Sequence, residues 1–291
     1  MAHERLVARI SEITGRHVRG VRVLTGGLSN RTYLVLLAPP KEPRAVVVRV
    51  FAEEERASTE AAALRILEHA QLAGPRVLAE ATLDGSWVVL TTRVPGRPVA
   101  RPADRSWLDG LVATLVAIHR VEPHGSTLVH DPGGARPWID EAPPVELGST
   151  AYDVWPAIAR RRAELDGPRV LSHFDFHAGN VHWSRGRVSG VIDWELARWA
   201  PATADVAYCY MDLALAAGRR VAERFLDSYT RSNGDAPGLL AWLLVAILRP
   251  LPDPADWLPS YEGAGWQGLS PELLRRRLKA LARASAERAA G

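Results

Sequence analysis

The chain has 291 residues, 47% of them apolar and 24% charged, a balance that excludes extended disorder and gives room for two modest domains or one domain with an insertion. A net charge of +3, with arginines spread along the chain, leaves no basic block of the kind that grips nucleic acid; the densest cluster, Arg275 to Lys279, reads as the solvated face of a late helix. One cysteine, Cys209, excludes an internal disulfide framework, no apolar signal core follows Met1 to Arg5, and the longest apolar run, Leu239 to Leu248, falls well short of the roughly 20 residues of a membrane span, so the expectation is a cytoplasmic protein without a membrane or nucleic-acid partner.

In chain order, Leu6 to Ile13 reads as an amphipathic helix. Val21 to Leu24 and Thr32 to Leu37 read as strands around a turn at Gly26-Gly27, and the valine-rich Ala45 to Phe51 as a third strand. Ser58 to Ala70 carries apolar residues at helical spacing, with Ser58 or Thr59 as its expected cap. Val77 to Ala81 and Trp87 to Thr92 complete five strands. Two prolines and a glycine within residues 93–98 then break regular structure and read as a linker. Beyond it the pattern turns helical: Trp107 to His119, Tyr152 to Leu165, Ala202 to Ala216, Arg219 to Ser232, Gly238 to Leu248 and Pro271 to Arg288. Glu122 to Ser149, rich in Pro and Gly, shows no period and reads as a long loop. The expected plan is α+β and two-lobed, with residues 1–92 as a sheet lobe, 93–98 as a hinge and 99–291 as a helical lobe. Such a plan places a ligand cleft at the hinge.

The most informative stretch is His173-Phe174-Asp175-Phe176-His177-Ala178-Gly179-Asn180, followed by Ile192-Asp193-Trp194-Glu195. A hairpin, Val181 to Trp183 and Arg187 to Ile192, separates the two pieces. Asp175 and Asn180 have the offset of the Asp and Asn in the kinase catalytic loop H-R-D-L-x-x-x-N. Phosphoryl transfer needs a carboxylate to orient the attacking hydroxyl and take its proton, and oxygen ligands to hold Mg²⁺ against the phosphates. Asp175 suits the first task, and Asn180 and Asp193 the second; His173 reads as a structural residue of the loop.

These motifs resemble the signature of the aminoglycoside phosphotransferase and choline kinase family, small-molecule kinases with a protein-kinase-like fold. Ala204-Asp205-Val206-Ala207 also has a counterpart there, a structural Asp soon after the metal Asp. The resemblance runs the length of the chain and is specific between Leu171 and Ala207. It implies an antiparallel sheet lobe that grips ATP or GTP and a mostly helical lobe that carries the chemistry. The turn containing Gly26, Gly27, Ser29 and Asn30 would cover the phosphates with backbone amides, a plain hairpin turn being the competing reading. Arg49 lies near the end of the third strand, where a lysine is usual in protein kinases. It would pair with Glu60 and with a phosphate, Lys41 being the fallback cation. Thr92 and Val94 lie in the segment whose backbone would meet the nucleobase.

Two other readings use the same residues. His173, Asp175, His177 and Asp193 are ligand types of a metal-dependent hydrolase, which has no need of Asn180. A non-catalytic nucleotide-binding module is prompted by Arg49, and the intact set of Asp175, Asn180 and Asp193 argues against it. The acceptor implied by the resemblance is a hydroxylated small molecule, foremost an aminoglycoside or related antibiotic, with choline, an amino sugar, a macrolide or a nucleoside as alternatives. Asp131, Asp140, Glu141, Glu146, Asp153, Asp253, Asp256 and Glu262, with Trp138, Trp155, Trp257 and Trp266, are the side chains expected near it.

Overall fold

The computed structural model describes residues 2–24, 30–122, 128 and 143–290. Gly26, Gly27, Ser29, Asp131, Trp138, Asp140 and Glu141 lie outside them. The N-terminal region is an antiparallel sheet of β1 (Val18–Leu24), β2 (Arg31–Leu37), β3 (Ala45–Phe51), β4 (Val77–Leu83) and β5 (Ser86–Thr92), in the order β1-β2-β3-β5-β4. Strand period decides what each face carries. In β3, Val46 and Val48 point into a core shared with Val35, Leu90 and, from helix α1 (Ala2–Thr14), Leu6 and Ile10. The alternate residues, Arg49 and Phe51, therefore face the other side, where helix α2 (Glu54–His69) packs Ala57 and Ala61 against Phe51 and Val89. Burying each of the Val, Leu, Ile and Phe side chains contributes about 1.5–3 kcal/mol, enough to fix the register that aims Arg49 at α2.

Helix α2 starts earlier than the pattern suggests. Glu53 stands at the cap without a side-chain hydrogen bond, and Ser58 and Thr59 lie inside the helix. The acidic first turn, Glu54 and Glu55, favours that start by offsetting the positive helix end.

Residues 93–98 leave the sheet and are fastened to the second lobe. Gly96 stands at φ 81°, and a Cβ there would run into the carbonyl of Trp183. The Ser189 hydroxyl donates to the Pro95 carbonyl at 2.6 Å. The short strand β6 (Arg97–Pro98), unmarked in the sequence pattern, joins β8 (Val181–Ser184) and β9 (Arg187–Val191) in a three-stranded sheet. A separate two-stranded pair is formed by β7 (Arg169–Ser172) with β10 (Arg198–Pro201).

The rest is mostly helical: α3 (Arg105–His119), α4 (Ser149–Arg160), α5 (Ala202–Ala216), α6 (Arg219–Asn233), α7 (Leu239–Ile247), α8 (Leu258–Gly263) and α9 (Pro271–Ala290). Helix α5 is apolar all round and buried from Thr203 to Ala216, so it forms the centre of this region. Its two buried acids, Asp205 and Asp212, break that pattern. Trp155 and Trp266 were expected near an acceptor. Both are core residues instead, with Trp266 edge-on to Trp107. No helix among the described residues is long and apolar enough to cross a membrane.

Candidate active site

The loop after β7 is held by one buried carboxylate. Asp205 accepts the backbone N–H of His173 at 2.8 Å and of Phe174 at 2.7 Å, and meets His119 Nε2 at 3.2 Å. Burial works to raise its carboxyl, yet the His119 contact and the charges and amides around it outweigh burial and hold it below the ordinary 3.8. The His173 ring is fully buried, packs on Phe176 and Trp194, and donates from Nε2 to the Ile192 carbonyl at 2.9 Å. Burial lowers its pKa, so it stays neutral. It thus ties the loop to the turn that bears Asp193.

Two non-glycine residues, Phe174 at φ 63° and Asp193 at φ 70°, take the left-handed conformation on either side of this tie. Such backbone costs of order 1–3 kcal/mol and persists where the surroundings enforce it. Here Asp205 enforces the first, and buried Trp194, bonded through Nε1 to the Val191 carbonyl at 3.0 Å, anchors the second.

Asn180 connects the two acids. Its Nδ2 donates to the carbonyl of Asp175 at 3.0 Å and to Oδ2 of Asp175 at 3.3 Å. Its own carbonyl accepts the N–H of Ile192, the residue before Asp193, at 3.0 Å. With both nitrogen contacts spent on Asp175, the amide oxygen is the atom left for a cation. Oδ1 of Asp175 takes an ion pair that no sequence motif flagged, to Arg249 just beyond α7, at 3.0 Å. His177 stands 4.0 Å from Asp175 Oδ2.

Across the cleft, Arg49 lies among three carboxylates. It pairs with Glu60 of α2, with Asp193 at 2.5 Å and with Glu195 at 2.9 Å. Glu195 also pairs with Arg56 at 2.9 Å and accepts from Asn30. Burial raises the Asp193 carboxyl, but the Arg49 charge and hydrogen bond prevail and the net shift is down. Glu60 goes the other way: burial and the two neighbouring carboxylates push it up to about 8 against the pull of Arg49. Glu60, Asp193 and Glu195 each place an oxygen within 4.8 Å of the others, an all-oxygen set of the type that suits a hard cation such as Mg²⁺.

The structure therefore brings together Asn30, Arg49, Glu60, Asp175, Asn180 and Asp193. Thr92 ends β5, its hydroxyl accepting the N–H of Arg76 at 2.9 Å, and Val94 is buried beside Gly190. Neither has a contact with the acidic group among those described. Lys41 is exposed, with its carbonyl bound by Arg16, and lies outside the cluster. Arg56, Glu195 and Arg249 join the site. For Arg56 the available signal was its position one helical turn before Glu60. Arg249 showed only as the charge that ends an apolar run.

Known structures share this architecture. The apo form of a thermostable mutant of the aminoglycoside phosphotransferase APH(4)-Ia superposes with a TM-score of 0.69 at 18% identity, over 98% of this chain and 99% of that one. The spectinomycin phosphotransferase APH(9)-Ia, in complex with ADP and spectinomycin, gives 0.61 at 15% identity over 97% and 98%. A type I macrolide 2′-phosphotransferase gives 0.56 at 17% over 96% of each chain. At these identities the likeness establishes the fold, which is protein-kinase-like with an antiparallel sheet lobe and a mostly helical lobe. A search of curated protein sequences finds no match. The model of the Phosphotransferase enzyme family, however, matches residues 20–243, spanning both the Arg49 strand and the Asp175 and Asp193 motifs, and the chain belongs to that family.

Proposed function

We propose that this protein transfers the γ-phosphate of ATP or GTP to a hydroxyl of a small molecule, with an aminoglycoside or related antibiotic as the first acceptor to test. The observation that carries the reading is the junction at Asn180, which binds Asp175 on one side and the Asp193 turn on the other. That junction puts a candidate base and a candidate metal carboxylate on one rigid unit. A metal hydrolase built on histidines is less well supported, because His173 spends Nε2 on a carbonyl and the clustered carboxylates include no histidine. Solved relatives of the same fold bind ADP with hygromycin B, AMP-PNP with hygromycin B, or ADP with spectinomycin.

In this reading residues 1–92 form the nucleotide lobe, 93–98 the hinge, and 99–291 the lobe for chemistry and acceptor. Gly26, Gly27, Ser29 and Asn30 cover the phosphates, Thr92 and Val94 border the nucleobase, and Arg49, oriented by Glu60, meets a phosphate. Asn180 and Asp193 hold Mg²⁺, which neutralises charge on the phosphates when bound. Asp175 orients the acceptor hydroxyl and receives its proton at a carboxylate oxygen. No membrane or nucleic acid takes part, and the expected compartment is the cytoplasm.

The test is a phosphorylation screen with Mg·ATP and Mg·GTP against aminoglycosides, spectinomycin, macrolides, nucleosides, amino sugars and choline. Asp175→Asn should lower turnover by roughly 10²–10⁴-fold, and Asp193→Ala should abolish Mg²⁺-dependent activity. Turnover of non-antibiotic metabolites alone would remove the antibiotic assignment. Unchanged turnover in both variants would remove the roles given to these aspartates.

A further inference from the structure

Arg249 belongs to no motif, and its surroundings are unusual for a residue that merely ends a helix. Its Nη2 lies 3.0 Å from Asp175 Oδ1, and its Nη1 donates to the Phe174 carbonyl at 2.6 Å. The guanidinium lies over the Tyr208 ring, 4.2 Å from the centroid. The planar fork is thus fixed by an anion, a carbonyl and an aromatic face, a set that lysine cannot satisfy at once. The contacts fall on the strained residue Phe174 and on the acid beside it. They also divide the two oxygens of Asp175. Oδ1 belongs to Arg249, while Oδ2 is turned toward Asn180 and His177.

We propose that Arg249 is a positioning residue for phosphoryl transfer: it locks the rotamer of Asp175 so that Oδ2, and not Oδ1, is presented to the incoming hydroxyl. This rests on the kinase reading above. Without that lock the carboxylate keeps the longer 3.3 Å bond from Asn180 to Oδ2 but loses its shortest contact, the one that holds Oδ1, and its aim loosens. Displacement by about 1 Å at a reacting centre can cost on the order of 10²-fold in rate. Nothing in the set of contacts reaches the Arg49 cluster, so nucleotide binding should be independent of Arg249.

The experiment is a double-mutant cycle with Asp175→Asn, using Mg·ATP and the best acceptor from the screen, or water as acceptor if hydrolysis is the stronger activity. Arg249→Met should lower kcat by about 10–100-fold and leave the KM for nucleotide nearly unchanged. Arg249→Lys, which keeps the charge and loses the fork, should recover part of the loss. In the Asp175→Asn background, Arg249→Met should cost little more, because residues acting as a unit are non-additive. A full additional loss in that background, or a rise in nucleotide KM matching the fall in kcat, would overturn the proposal and leave Arg249 as a brace of the fold. A melting temperature for each variant separates loss of folding from loss of aim, with Arg249→Lys as the variant that keeps Asp175 facing a cation. If wild type neither phosphorylates any acceptor nor hydrolyses Mg·ATP, the kinase reading itself fails, and the role of Arg249 with it.

Discussion

At the scale of single residues, the arginine on β3 shows how a substitution for the lysine usual in protein kinases is accommodated. A lysine offers one point of charge, whereas the guanidinium of Arg49 engages Glu60, Asp193 and Glu195 together. Removing it leaves three carboxylates facing one another with Arg56 as their remaining cation partner among the contacts described. Arg49→Ala should therefore weaken nucleotide binding by at least tenfold, about 1.4 kcal/mol, and also destabilise the fold, since breaking a buried pair typically costs about 3–5 kcal/mol. Calorimetric titration of Mg·ATP against wild type and variant reads the first effect and thermal melting the second. Equal affinities would move the phosphate contact to backbone amides or to Lys41. The motif residues around Asp175 and Asp193 were legible because their spacing is set by chain-local geometry. Arg249 was not, and Arg56 showed only its place on the helix, because the partners that bring them to the site lie 74 and 139 residues away.

At the scale of elements, α5 acts on the loop after β7 through Asp205. One oxygen of this carboxylate meets His173 and His119 and the other Phe174, all as acceptor. Asparagine offers one acceptor oxygen and sets an NH₂ against one of these donors. Asp205→Asn should cost about 3 kcal/mol at neutral pH and lower kcat by loosening Asp175. The pH dependence has a definite sign. The folded carboxyl lies below 3.8, so the unfolded chain binds more protons in acid. Its stabilising contribution is present above pH 3.8 and is lost as pH falls through the folded value. Urea titrations between about pH 3 and 7 should show a steeper acid loss for wild type than for Asp205→Asn. Parallel curves would mean that Asp205 does not titrate on unfolding.

Elements of strongly apolar composition agree with the pattern: the valine-rich Ala45–Phe51 and the long Ala202–Ala216 match their expected bounds. The start of α2 was misplaced because acidic residues, which stabilise a helix end through its dipole, replace a hydroxyl cap there. Arg97–Pro98 and Arg198–Pro201 escaped notice because strands of two and four residues carry too little alternation, and each ends in proline. Their pairing is decided by tertiary partners, β8 and β7.

At the scale of the whole molecule, a group of side-chain contacts joins the sheet lobe to the acidic turn of the helical lobe, beside the bond from the Val191 N–H to the Ala73 carbonyl. Asn30, Arg49 and Arg56 come from one side, Asp193 and Glu195 from the other. These contacts should hold the cleft narrow without nucleotide. A variant with Arg49→Ala and Arg56→Ala should give a larger radius of gyration by small-angle X-ray scattering. The difference should shrink when Mg·ATP supplies its own bridge. An unchanged radius would show that the backbone between the lobes sets the spacing. The position of Arg49 has one more consequence. Its guanidinium is the counter-ion of Asp193, so on the proposed function a divalent ion arriving alone would compete with a tethered cation. A nucleotide arriving alone finds that same guanidinium already engaged. When both arrive together each frees what the other needs, the ion taking the carboxylate and the phosphates taking the arginine. On the proposed function, affinity for the metal–nucleotide complex should therefore exceed what its two parts bring separately, a heterotropic cooperativity.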